Sequence, residues 1–260
     1  MSTPSWLTAF IDLPAAEHER GGEFWSGVTG WPLSPPRGDT DEFTTLLPAD
    51  GDPHLKVQRV GDGRARTHLD VHVADPEATL ARVEELGGGL VERHPGSYVV
   101  ARSPGGYPFC LVGERLARRA APVTWPGGHA SIVDQLCLDI PAGHFAAETR
   151  FWADLTGWDL RSSTVREEFA YLVRPREIAL RLLLQRLDDT DGVVRGHLDV
   201  ATTDRQAEVR RHEALGATRS ATQSGGHWTV MRDPAGAAYC ITDRQPRSSA
   251  QHARTSSTPT

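Results

Sequence analysis

The chain has 260 residues, a net charge of −6, 38% hydrophobic and 24% charged residues. That length fits one large domain or two small ones, with enough apolar residues for a sizeable core. The acidic balance gives no electrostatic reason to expect nucleic acid or an anionic membrane as partner.

The N-terminal stretch alternates. Trp6 to Leu13 reads as a strand, with Ala9, Ile11 and Leu13 on one face and Thr8, Phe10 and Asp12 on the other. Ala15 to Thr29 reads as a helix stopped by Gly30. Short strands follow near Phe43–Leu47 and Leu55–Val60, with Gly61-Asp62-Gly63 as a turn. The pattern then restarts. His68–Val73 is a strand with His68, Asp70 and His72 on one face and Leu69, Val71 and Val73 on the other. Asp75–Leu86 is a helix, and strands follow at Tyr98–Arg102 and Pro108–Val112. The second half repeats the order. It has a strand at Gln135–Ile140, a helix at Phe145–Thr156, and strands near Phe169–Val173 and Ile178–Leu187. A strand at His197–Ala201, a helix at Asp204–Leu215, and strands at Trp228–Arg232 and Ala238–Thr242 complete it.

The repetition is visible residue by residue. Phe24-Trp25-x-x-x-Thr29-Gly30-Trp31 returns as Phe151-Trp152-x-x-x-Thr156-Gly157-Trp158. His68-Leu69-Asp70-Val71 returns as His197-Leu198-Asp199-Val200, and Pro104-Gly105-Gly106 with Cys110 returns as Pro234-Ala235-Gly236 with Cys240. Equal order and nearly equal spacing indicate a duplication. Residues 5–113 and 131–243 are expected as two domains. Residues 114–130 are read as a linker and 244–260 as a disordered tail rich in Ser, Thr, Arg and Pro. Cys110, Cys137 and Cys240 are an odd set without Cys-x-x-Cys spacing. They suggest the reducing cytoplasm and argue against a disulfide scaffold or a thiolate zinc site. No signal peptide or spanning segment is expected.

These motifs resemble the vicinal oxygen chelate superfamily, and most closely its glyoxalase-like and bleomycin-resistance-like members. The resemblance rests on the Phe-Trp-x-x-x-Thr-Gly-Trp helix ends, on Val57-Gln58-Arg59-Val60 before His68-Leu-Asp-Val, and on Asp233-Pro-Ala-Gly-Ala-Ala-Tyr-Cys240. It implies an α+β fold of four βαβββ units. They would form two domains with curved mixed sheets and helices on the convex side. The concave faces would then carry Thr8, Phe10, Asp12, His68, Asp70 and His72 in the first half. In the second they would carry Gln135, Cys137, Asp139, His197 and Asp199.

Metal-using relatives place four ligands on these strands. The resemblance maps them to Thr8, Gln58, His68 and Cys110, and to Gln135, Gln185, His197 and Cys240. One His per set and no closing carboxylate suit a divalent ion poorly, so no metal or other cofactor is expected. Asp70, Asp199 and His72 leave room for a shifted site. Two functions follow. One is a metal-independent binder of an apolar or aromatic metabolite or drug. The other is an enzyme (an isomerase, lyase or hydrolase, or a metal-dependent lyase or dioxygenase). In it His197 or His68 would be general base or ligand, with Asp199 or Asp70 as acid or orienting group. Tyr98 and Trp228 are pocket-wall or core residues. Both pockets would form within a monomer or loose homodimer. Phe10 would partly fill the first, leaving the second around Gln135, Gln185, His197 and Asp199 as the working one. His129 and His212 belong to no visible constellation. His212 stands where the first half has Val83.

Overall fold

The computed structural model describes residues 3–61, 63–164, 166–222 and 226–246. Asp62 of the expected turn and residues 247–260 of the expected tail lie outside the described residues.

The first half contains β1 (Trp6–Pro14), α1 (His18–Thr29), β2 (Phe43–Thr45), β3 (Leu55–Val60) and β4 (Arg66–Val73). It continues with α2 (Pro76–Glu85), β5 (Gly89–His94), β6 (Tyr98–Arg102) and β7 (Pro108–Gly113). The second half contains β8 (Val123–Thr124), β9 (Ala130–Ile140), α3 (Phe145–Thr156), β10 (Asp159–Ser162), β11 (Phe169–Val173) and β12 (Arg181–Arg186). It ends with β13 (Arg195–Thr202), α4 (Arg205–Ala214), β14 (Thr218–Thr222), β15 (Trp228–Arg232) and β16 (Ala238–Thr242). A seven-stranded sheet runs β2-β3-β1-β4-β7-β6-β5. A nine-stranded sheet runs β10-β11-β12-β9-β13-β16-β15-β14, with β8 on β9. Both sheets are mixed, because β4 with β7, β12 with β9 and β13 with β16 pair in parallel while the hairpins are antiparallel. The fold is therefore α+β, as expected. No helix among the described residues is long and apolar enough to cross a membrane.

The Thr-Gly-Trp signature is a helix-ending device. The Thr29 hydroxyl donates to the Trp25 carbonyl at 2.8 Å and accepts from the Trp31 N–H at 3.2 Å. Thr156 does the same between Trp152 and Trp158, at 2.6 and 3.3 Å. Gly30 and Gly157 follow with φ of 68° and 69°, the left-handed region that a side chain disfavours. Gly30→Ala and Gly157→Ala should each cost about 1 kcal/mol, read as a shift in the denaturant midpoint. At the other helix starts, Asp75 and Asp204 accept from the N–H groups of Ala78 and Ala207, both at 2.9 Å.

Four strands escaped the sequence reading: β5, β8, β10 and β14. Of these β5, β10 and β14 each end a sheet, and β8 is a two-residue strand on β9. All of β10 and half of β5 are exposed, so neither carries the apolar alternation that betrays a strand. Both β5 and β14 also carry a register shift against their partners. The first unit departs from βαβββ. Where the third unit has β10, residues 31–37 make only the bridges Leu33↔Leu46 and Arg37↔Phe43. Pro32, Pro35 and Pro36 lie in that segment, and proline cannot donate to a ladder.

The described chain divides into two compact units. One consists of the described residues within 3–11, 66–116 and 135–197, and the other of those within 12–65, 117–134 and 198–246. In the first, Trp152 packs edge-on against Phe109 and Phe151, both at 5.2 Å, and against Tyr107 at 6.2 Å. Its indole donates to the buried Glu148 carboxylate at 2.9 Å, which also accepts from the Gly105 N–H at 2.5 Å. Burial pushes the Glu148 carboxyl above its ordinary value, although hydrogen bonds from Ser103, Gly105 and Trp152 work against it. In the second unit Trp25 donates to Asp233 at 3.1 Å and meets Tyr239 at 5.2 Å.

Candidate functional site

Two strands with His-x-Asp carry the candidate chemistry. In the first half His68 and Asp70 lie on β4, and Asp70 stands in register with Cys110 on β7. A ligand atom from each of the three lies within 4.8 Å of the others. The Phe10 ring from β1 stacks on the His68 imidazole, with centroids 4.4 Å apart and planes at 16°. Thr8 is fully buried and its hydroxyl lies 3.1 Å from His72 Nε2, while His72 Nδ1 lies 3.1 Å from the Gly113 carbonyl. His72 is thus held by two polar neighbours.

The second half differs at one pleat. Pairing of β12 with β9 sets Leu183 beside Cys137 and Gln185 beside Asp139. His197 on β13 and Asp139 share a 2.9 Å hydrogen bond between Nδ1 and Oδ2. A carboxylate only accepts, so Nδ1 carries the hydrogen and Nε2 keeps its lone pair in neutral His197. The two side chains remain 13% and 24% exposed. The Cys137 thiol donates to Gln185 Oε1 at 3.7 Å. Cys137, Asp139 and His197 offer ligand atoms within 4.8 Å of one another. In the repeat, Cys137 occupies the place of Phe10. A small thiol therefore stands where the first half has a ring lying on its histidine.

The other residues named from the sequence take definite places. Asp199 stands in register with Cys240, as Asp70 does with Cys110, and both members of that pair are buried. Asp199 also feels the Arg244 guanidinium, which pairs with Asp134 at 2.6 Å. Gln135 is buried in register with Arg181. Gln58 lies on β3 opposite Phe43, and Trp228 on β15 opposite Thr242. Tyr98 stacks on His94 at 4.2 Å. Sequence reasoning placed Asp139 on the same face as His197 but gave it no role; the structure joins the two by a 2.9 Å bond. The signal was present in the alternation of Gln135, Cys137 and Asp139.

The expectation of no metal rested on counting donors at Gln135, Gln185, His197 and Cys240. A further set of donors, Cys137, Asp139 and His197, converges one pleat along β9. An imidazole, a carboxylate and a thiol suit a borderline ion such as zinc, with a fourth position left for a ligand. A harder ion such as manganese fits the thiol less well. These donors lean against the expectation of an absent metal.

Duplicated βαβββ units with repeated His-x-Asp strands define a tandem α+β protein of the vicinal oxygen chelate class. The chain belongs to the glyoxalase-like domain family, whose sequence profile matches residues 8–112 and 135–242. A comparison with curated protein sequences finds no match. Among solved structures, the chain is similar to a Mn(II)-bound glyoxalase from Novosphingobium aromaticivorans at 15% identity. That likeness has a TM-score of 0.65 and covers 93% of this chain and 83% of that one. A homoprotocatechuate 2,3-dioxygenase from Arthrobacter globiformis is 16% identical, with a TM-score of 0.59 over 92% of this chain and 80% of that one. A catechol 2,3-dioxygenase is 13% identical, with a TM-score of 0.58 over 96% and 91%. At these identities the likeness shows the fold.

Proposed function

We propose that the chain binds a small metabolite in its second half, where His197, oriented by Asp139, accepts a proton from it. The observation that carries this reading is the 2.9 Å bond from His197 Nδ1 to Asp139, made by side chains that remain partly exposed. It leaves the Nε2 lone pair as base, and the carboxylate stabilises the imidazolium formed when that lone pair takes a proton. The matching histidine of the first half lies under Phe10. Two structural neighbours are named for catechol or a catechol acid. A small molecule with an acidic proton beside an oxygen is the class we assign. Each half, 5–113 and 131–243, is taken as one glyoxalase-like domain in a monomer or loose homodimer. All three cysteines are buried and none forms a disulfide, which supports the cytoplasm.

The convergence of Cys137, Asp139 and His197 within 4.8 Å supports a second reading, in which these residues hold a divalent ion. Such an ion would polarise a ligand oxygen as a Lewis acid. Calorimetric titration with a panel of small phenols, hydroxy acids and oxo acids tests the first reading. Binding weakened in Asp139→Asn, though by less than in His197→Ala, supports it, and binding unchanged there rejects it. Elemental analysis of protein purified without chelator tests the second. Metal near one per chain, lost in Asp139→Asn, supports it, and sub-stoichiometric metal rejects it.

A further inference from the structure

Helix α4 carries Glu208 and His212 where α2 carries Thr79 and Val83. Both are 0% exposed. The Glu208 carboxylate has four donors around it. Oε1 lies 2.9 Å from His212 Nε2 and 2.7 Å from Arg211 Nη2. Oε2 lies 2.7 Å from His129 Nε2 and 3.0 Å from Arg211 Nε. The same guanidinium donates to the carbonyls of Gly27 and Val28, in the last turn of α1, at 2.8 and 2.7 Å. It also lies over the Trp125 ring, 3.6 Å from its centroid. With Nε2 donating to Glu208, His212 Nδ1 accepts from the Tyr239 hydroxyl at 2.9 Å. Neutral His212 is then satisfied on both sides.

Trp125 and His129 belong to the stretch that reads as a linker. It is a closed turn. The Trp125 N–H donates to the His129 carbonyl and the Gly128 N–H to the Trp125 carbonyl, both at 2.8 Å. The Trp125 indole donates to Ser131 Oγ at 2.8 Å. Its grip on α4 is therefore the Arg211–Trp125 stack and the His129–Glu208 bond.

We propose that residues 123–131 are a proton-released strap, clamped on α4 through Glu208 near neutral pH and freed when the network takes up protons. The charged and titratable groups around it are Glu208, Arg211 and His212 on α4, His129 on the strap, and Tyr239 and Asp233 at β16 and the turn before it. Burial lowers the His212 pKa, against the pull of Glu208. Burial works to raise Glu208, but hydrogen bonds from His212 and Arg211 outweigh it and hold the carboxyl well below its usual range. Both groups take protons more readily once the network opens. The clamp is therefore complete above about pH 6.5, the ordinary value for histidine, and weakens as pH falls toward the lowered value of His212.

Hydrogen exchange read by mass spectrometry on the full chain, corrected for intrinsic rates, tests this at about pH 7.5 and about pH 5. Protection of peptides covering 123–131 should fall at least about tenfold while β4 and β7 stay protected. His212→Val should remove that pH dependence. Should His212→Val fail to fold by circular dichroism, His212→Gln replaces it, since its amide can still donate to Glu208 but does not titrate. The pH effect should then be smaller than in wild type. Unchanged protection in wild type, an equal fall throughout the chain, or a full wild-type response in the folded variant overturns the proposal.

Discussion

Replacing His197 with Ala should lower ligand affinity or turnover by at least about 100-fold, whereas His68→Ala should change it less than about threefold. The asymmetry follows from what touches each ring. His197 is held by Asp139 at 2.9 Å and remains partly exposed. His68 has Phe10 stacked on it at 4.4 Å. Asp139→Asn should fall between the two. An amide in place of the carboxylate still meets the imidazole but no longer stabilises its protonated form. A larger loss from His68→Ala than from His197→Ala would move the function to the first half.

The largest stability effect is expected at Trp152. It is 0% exposed, with three aromatic rings around it and a buried carboxylate at its indole. Trp152→Ala should cost about 4 kcal/mol, because the cavity cannot fully collapse and Glu148 loses a donor. Trp152→Phe keeps much of the packing but also takes that donor, and should cost about 1–3 kcal/mol. The Phe variant carries a pH signature. Burial already raises the Glu148 carboxyl, and loss of a hydrogen bond to its charged form raises it further. A carboxyl raised in the folded state favours folding below its unfolded value and loses that advantage as pH rises through the folded value. The deficit of Trp152→Phe against wild type should therefore widen from about pH 5 to about pH 8, measured by urea unfolding. A constant deficit would mean that the indole bond to Glu148 has no weight.

Much of this was legible because duplication writes the same physics twice. The Thr29 and Thr156 helix ends were readable as motifs, and their paired hydroxyl bonds show why the motif has that spacing. The His68 and His197 strands were readable from alternation. The edge strands β5 and β10 were not, since exposed polar residues carry no periodic signal. Asp139 was visible on its face, but its partnership with His197 spans 58 residues and depends on which strands become neighbours. Glu208 and His212 stand one helical turn apart, yet a helix reading Arg-Gln-Ala-Glu-Val-Arg-Arg-His looks solvent-facing. Its burial follows from the Arg211 and His129 contacts, which no local pattern encodes.

The proposed function requires Asp139 to fix His197 with its working lone pair on Nε2. Long-range proton–nitrogen spectra of the imidazole rings measure this directly in wild type and Asp139→Asn. Neutral His197 should carry its hydrogen on Nδ1 in wild type, and this preference should weaken in Asp139→Asn. Ligands found by titration should shift the His197 nitrogens and leave those of His68 in place. Neutral His197 protonated on Nε2, or a ligand response confined to His68, would contradict it.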